Sequence, residues 1–134
     1  MPGSFFDTNV VVYLASTTPV KAARARHLLR EGGIISVQVL NETANVARRK
    51  LRLPWAETHE LLTTLRNLLQ VVPVTIDTHS AGLAMAQRYN LSLYDAMIVA
   101  AAIGCGCGTL WSEDMQHGLL VEGALRVTNP FAGT

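Results

Sequence analysis

Four acids in this chain follow or interrupt apolar segments: Asp7, Glu42, Asp95 and Asp114. Asp7 directly follows Phe5-Phe6, which reads as a short buried strand because aromatic residues favour pleated, packed surfaces. Asp114 comes just after Thr109-Leu110-Trp111, a second strand-like run. Glu42 falls in the first turns after the apolar stretch Ile34 to Val37, and Asp95 in the first turn of the most apolar helix. In an open parallel sheet these first turns gather at one edge, where ligands bind. Four carboxylates gathered there repel one another and cannot all ionise cheaply. A hard divalent cation resolves the repulsion, since Mg²⁺ or Mn²⁺ takes oxygen ligands and keeps several waters. Such a water is activated to attack a phosphodiester while the ion screens the developing charge. Thr8, Asn9 and Ser112 stand beside the acids as groups that would orient them.

Each of these residues also has a simpler role. Asp7 would cap the helix that follows it, as would Thr8 or Asn9. Ser92-x-x-Asp95 has capping-box spacing, with Asp in place of Glu. Asp114 and Ser112 suit a turn, and Glu42 suits an exposed helix face. Four separate caps falling at one sheet edge would be an accident, and that weighs towards chemistry. Asp77 or Thr78 reads as the cap of the helix that follows, which gives Asp77 a ready explanation outside the site.

The elements that must position these groups alternate. A strand over Ser4 to Phe6 leads to a short helix ending near Ala15. Pro19 opens a helix from about Val20 to Arg30, which stops at Gly32-Gly33. A strand over Ile34 to Val37 precedes a helix from Val39 to about Leu51, with Leu40, Ala44, Ala47 and Leu51 on its apolar face. Pro54 starts a helix carrying Leu61, Leu62, Leu65, Leu68 and Leu69, and Val71 to Val74 is a strand whose proline places it at a sheet edge. A helix runs on to Tyr89 with Leu83 and Ala86 inward, and Ser92 caps the central helix Leu93 to Ile103. Strands at Thr109 to Trp111 and Leu125 to Thr128 close the chain. This alternation predicts an α/β fold with a parallel sheet covered on both faces.

The chain has 134 residues, half of them apolar and 16% charged, which predicts one domain over 1–134 with a real core rather than a disordered segment. The net charge of +1 hides two basic clusters, Lys21 to Arg30 and Arg48 to Arg52, compatible with a polyanion or with ordinary solvated helix faces. The start lacks a basic region followed by an apolar core, and Ala96 to Ile103 is too short to span a bilayer, so the default is a cytoplasmic chain with no membrane partner. Cys105 and Cys107 have neither disulfide-framework nor zinc spacing and read as small packed residues. His27, His59, His79 and His117 have no serine or carboxylate companions in sequence, and Gly104 to Gly108 precedes a strand and lacks the lysine of a phosphate loop.

At these residues the sequence resembles the PIN-domain ribonucleases, specifically VapC-type toxins of toxin–antitoxin pairs. The matching pieces are Phe6-Asp7-Thr8-Asn9-Val10, Asn41-Glu42, Tyr94-Asp95-Ala96, Leu110 to Met115, and Asn129-Pro130-Phe131, in family order across nearly the whole chain. The resemblance implies a three-layer α/β/α sandwich and an Mg²⁺-dependent endoribonuclease site built from Asp7, Glu42, Asp95 and Asp114. Asp7 and Asp95 are implied as direct ligands, with Glu42 and Asp114 acting through water or helping to place the ion. Many relatives carry a further Asp where this chain has Gln116, so one ion or two is left open. The resemblance also implies an RNA substrate, a homodimer and a small antitoxin partner.

Two other classes stand beside the nuclease. An Asp-nucleophile phosphatase would use Asp7, but the usual second Asp is Asn9 here and a late lysine is missing. A catalytically inactive domain that binds RNA or an antitoxin would not need all four acids. No aromatic stripe for base stacking is evident in the sequence.

Overall fold

The computed structural model describes residues 3–133. Its centre is a six-stranded sheet. β1 (Ser4–Phe6) leads to α1 (Thr8–Val11) and a 3-10 turn over Val12–Ala15. Then come α2 (Pro19–Arg30), β2 (Ile34–Ser36), α3 (Val37–Arg49), α4 (Trp55–Leu68) and β3 (Gln70–Val72). The second half holds α5 (Ile76–Tyr89), α6 (Leu93–Gly104), β4 (Thr109–Trp111), β5 (Leu120–Val121) and β6 (Leu125–Thr128). The strand order is β3-β2-β1-β4-β6-β5, parallel throughout except for β5, which pairs antiparallel with β6. The chain winds outward from β1 through β2 to β3 and then returns to the other side of β1. The topological switch point therefore lies between β1 and β4.

Neighbouring residues on a strand point to opposite faces. Phe5 and Phe6 are both buried, as are Ile35 and Ser36, so helices cover both faces of the sheet. Burying each phenyl ring contributes roughly 2–3 kcal/mol. Val10, Val11, Leu29, Ile98, Val99, Leu110 and Val127 join them in one core. Gly33 is essential to this packing: its φ is +151°, and an added Cβ would lie 2.6 Å from the Phe6 ring and 2.8 Å from the Ser4 carbonyl.

β3 lies at the sheet edge as predicted, but it ends at Val72, so Pro73 terminates the strand rather than lying within it. Two helices, α3 and α5, differ from expectation. α3 starts at Val37 directly off β2 and buries Val39, Thr43 and Ala47, one position round from the expected face, and Leu51 lies past its end, partly exposed. α5 is capped by Thr75, not Asp77 or Thr78: Thr75 and Thr78 form a reciprocal capping box. It packs through Gly82 and Met85, leaving Leu83 50% exposed, because the missing side chain at Gly82 lets Met97 of α6 come close. β5 had no sequence signal. Its turn puts Glu122 at φ +51°, a conformation rare for a side-chain-bearing residue, held by Arg88 and by Tyr89, whose hydroxyl donates to Glu122 Oε2 at 2.8 Å.

Both cysteines are free thiols, and burial pushes Cys107 up to about 11. No helix among the described residues is long and apolar enough to cross a membrane.

Candidate active site

Asp7 leaves β1 at the switch point, and its own N–H extends the ladder by donating to the Trp111 carbonyl at 2.9 Å. It is the N-cap of α1, with Oδ1 accepting from the Thr8 N–H at 2.7 Å. Its other oxygen, Oδ2, accepts from Ser112 Oγ at 2.8 Å and Asn9 Nδ2 at 2.9 Å. The residue is only 4% exposed. Cap and site member are thus one residue: the cap geometry turns Oδ1 to the helix and leaves Oδ2 facing β4.

Asn9 ties the edge together. Its amide nitrogen also reaches Ser112 Oγ at 3.4 Å and Asp114 Oδ2 at 3.3 Å, while its amide oxygen accepts from the Glu113 N–H at 2.8 Å. Ser112 in turn accepts from the Met115 N–H at 3.2 Å, which closes the turn after β4. Glu42, on α3, is held from both sides. Thr8 Oγ1 donates to Oε1 at 2.6 Å, and Gln38 Nε2 donates to Oε2 at 2.9 Å. Gln38 also bonds the Tyr94 carbonyl at 3.0 Å, linking α3 to the start of α6. Asp95 stands there in the first turn; its N–H is capped by Ser92 Oγ at 3.2 Å. Ser92, not Asp95, therefore caps α6.

Asp7, Glu42, Asp95 and Asp114 line one open cavity of about 420 Å³, together with Thr8 and Asn9. Four segments distant in sequence deliver the four acids to the C-terminal edge of β1, β2 and β4. Burial pushes Asp7 up to about 6, against the lowering effect of its Ser112 and Thr8 hydrogen bonds, with Asp95 and Glu42 adding repulsion. Asp95 is raised as well, first by burial, with Asp114 and Glu42 contributing repulsion against its bond to Ser92. The charges thus feel one another across the cavity. Among the described residues, however, no three His, Cys, Asp or Glu side chains close into a ready-made metal cage. An oxygen-only donor set on an open cavity fits an ion that keeps much of its own water, as Mg²⁺ does, better than one held by a complete protein cage.

Sequence reasoning missed several cavity neighbours. Gln38 lies four residues before Glu42 on one helix face, a spacing that could have flagged it. Gln38 reaches the site through Glu42, whereas Tyr13 and Glu113 line the cavity itself: Tyr13 Oη donates to Glu113 Oε1 at 2.8 Å, and Lys21 pairs with Glu113 Oε2. These contacts span about a hundred residues and leave no local signal. Lys50 and Leu51, just past the end of α3, line the cavity too.

The PIN domain family model matches residues 4–117, a span that holds all four acids and stops short of Asn129-Pro130-Phe131. The chain belongs to the PIN domain family. Its fold is similar to that of a chain in a toxin–antitoxin complex from Klebsiella pneumoniae (TM-score 0.73, 21% identity, 96% of this chain and 98% of that one). It is also similar to a chain of DNA-bound VapBC from Salmonella typhimurium (TM-score 0.72, 17% identity, 97% and 99%). A third similar structure is VapC20 of Mycobacterium tuberculosis, described as a toxin that cleaves the sarcin-ricin loop (TM-score 0.65, 19% identity, 83% and 89%). No curated protein matches the chain.

Proposed function

We propose that this protein is a metal-dependent endoribonuclease and the toxin of a toxin–antitoxin pair. The observation that carries the reading is the convergence of Asp7, Glu42, Asp95 and Asp114 on one cavity at the switch point of a PIN fold. PIN domains generally use divalent metal, and Asp7 and Asp95 are the residues that would hold it, with Glu42 and Asp114 completing the oxygen set. A bound Mg²⁺ or Mn²⁺ supplies charge neutralisation for the carboxylates and a water acidic enough to attack a phosphodiester.

The chain's own residues prepare that chemistry. Three donors fix Asp7 so that it cannot turn away when its charge is unscreened. Thr8 and Gln38 fix both oxygens of Glu42, leaving it little rotamer freedom to lose when substrate arrives. Asn9 holds Asp7 and Asp114 in one frame, so the acids of β1 and β4 move as a unit. Carboxylates raised by burial, as Asp7 and Asp95 are, give up a proton more reluctantly, which couples ion uptake to proton release.

VapBC complexes and the Klebsiella toxin–antitoxin complex are among the similar solved assemblies, and they support an antitoxin partner here. A homodimer is part of the same reading. Nothing at the site favours the phosphatase, since Asn9 occupies the position of the second acid and itself donates to Asp7.

The deciding experiment incubates purified, antitoxin-free protein with a mixed pool of structured RNA in Mg²⁺, Mn²⁺ or EDTA, beside Asp95→Asn. Fragments that need metal and vanish in the variant are the expected result. Equal cutting in EDTA, or by the variant, would overturn the reading. An inactive binding domain would hold RNA or antitoxin and yield no fragments under any condition.

A further inference from the structure

The two basic clusters have different fates in the fold. In the first, Lys21 is committed to Glu113, Arg24 Nε donates to the Pro130 carbonyl at 3.2 Å, and His27 pairs with Glu31. Two of its four cations, Lys21 and Arg24, thus fasten the wall of the cavity and the C-terminal segment, whereas Arg26 and Arg30 are exposed and form no ion pair among the described residues. In the second, none of Arg48, Arg49, Lys50 and Arg52 forms an ion pair among the described residues. Lys50 and Leu51 line the carboxylate cavity itself.

Just beyond them stands Trp55, 61% exposed at the first position of α4. Leaving so large a ring in water forgoes the burial that usually places tryptophan. The ring is also held in place. The Arg48 guanidinium carbon lies 4.1 Å from its centroid, and Arg48 Nη1 donates to the Leu53 carbonyl at 2.7 Å. The connecting loop is pinned to α3: the Leu51 N–H donates to the Val46 carbonyl at 3.0 Å, and the Leu53 N–H to the Ala47 carbonyl at 2.9 Å. Trp55 follows Leu51 by only four positions, so its Cα lies within about 14 Å of a residue that lines the cavity.

We infer that Trp55, backed by Arg48 and flanked by Arg49, Lys50 and Arg52, is a stacking platform for an unpaired base of an RNA strand whose phosphodiester enters the acidic cavity. The inference rests on the nuclease reading and deepens it. An acidic cavity repels a polyanion, and free cations on its rim offset that repulsion for the strand leading in. Single-stranded RNA is gripped by aromatic faces together with arginine, in a mode that tolerates many sequences. A protein surface would exploit the apolar ring but has no general need for an arginine stacked on it and a run of further cations close by in sequence, none in an ion pair among the described residues.

The test measures binding of an end-labelled, single-stranded RNA of mixed sequence in EDTA, where the strand is bound without metal-dependent cutting. Wild type is compared with Trp55→Ala, Trp55→Phe and the double variant Arg49→Gln/Lys50→Gln. Trp55→Ala should weaken binding roughly 5- to 150-fold, the ratio that corresponds to the ~1–3 kcal/mol of one stacked base. Trp55→Phe should recover most of it. The double variant should lower the salt dependence of log K by up to ~1.4, about 0.7 for each lost phosphate contact, whereas Trp55→Ala leaves that slope unchanged. Tryptophan emission quenched by RNA in wild type should not be quenched in Trp55→Phe.

Equal RNA affinity in Trp55→Ala overturns the platform, and so does an equal loss in the alanine and phenylalanine variants. Unchanged RNA affinity with weakened antitoxin binding assigns the surface to a protein instead. Cleavage of RNA in Mg²⁺ by the wild type, run in parallel, separates the two readings. Protein that cuts but ignores Trp55 refutes the platform alone, and protein that neither binds nor cuts refutes both.

Discussion

Replacing Asp7 by asparagine should remove a loss of stability that the metal-free protein suffers as pH rises. Burial lifts Asp7 from 3.8 to about 6 in the folded state. Between those values the folded protein keeps a proton that the unfolded chain has released, so stability falls as pH increases through that window. Below it the group is neutral in both states and costs nothing. Above it the buried charge is present in full, and the gap between the two values corresponds to ~3 kcal/mol. The asparagine side chain has no such titration. It offers one acceptor oxygen where Asp7 accepts three hydrogen bonds, an offset of about 1–3 kcal/mol that does not vary with pH. The slope, not the level, is therefore diagnostic. Asp95, also raised, and Glu122, lowered by Tyr89 and Arg88, titrate in both proteins and largely cancel in the difference. Urea unfolding in EDTA, from about pH 4 to about pH 7, gives that difference directly. The stability of wild type relative to Asp7→Asn should drop by roughly 2–2.5 kcal/mol across the range, the rest of the loss falling below pH 4. A flat difference, or one that rises with pH, would refute the reasoning, because it would mean that the cap and hydrogen bonds hold the charged form better than water does.

Three further substitutions follow from the same contacts. Asp95→Ala should raise the metal-free Tm by a few degrees, since it relieves repulsion from Glu42 and Asp114 while the Ser92 cap, which takes a backbone N–H, survives. A drop of several degrees by thermal scan would instead mean that the carboxylate is a net asset at the helix N-terminus. Gln38→Ala releases Glu42 Oε2 and the link to Tyr94, so RNA cleavage should fall by about 10- to 100-fold with the fold intact by circular dichroism. Unchanged cleavage would show that Thr8 alone orients Glu42. Gly82→Ala adds a Cβ 2.9 Å from Met97 Cγ and 3.3 Å from Met97 Cα, so crowding of about 1–3 kcal/mol should outweigh the ~1 kcal/mol gain in helix propensity. A rise in Tm for this variant would show that α5 and α6 separate at little cost.

What the sequence made legible follows from the range of each interaction. Phe5-Phe6 and Thr109 to Trp111 announce strands because both faces of a parallel sheet are dry and every position there is apolar or small. Ser92 and Pro19 announce helix starts because capping is a contact within a few residues. Helix orientation was less legible. In α5 the buried face is chosen by what a neighbour allows, and Gly82 wins the interface over Leu83 through its small size, which a hydrophobic pattern counts as nothing. β5 escaped notice because its left-handed Glu122 is stabilised by Arg88 and Tyr89, more than thirty residues away.

The site divides along the same line. Its four acids could be read one at a time, each just after an apolar run, and the resemblance set them in order. The contacts that convert four carboxylates into one cavity could not be read, because Asn9 meets Asp114 across 105 positions and Thr8 meets Glu42 across 34. The basic clusters show the consequence most clearly. In sequence Lys21 to Arg30 and Arg48 to Arg52 are equivalent concentrations of charge. In the fold, Glu113 neutralises Lys21 of the first, and only the second places a cation, Lys50, on the lining of the carboxylate cavity, where it forms no ion pair among the described residues. Charge that the fold has already neutralised contributes little to a polyanion's approach. The route of an RNA strand should therefore run along the end of α3 rather than along α2.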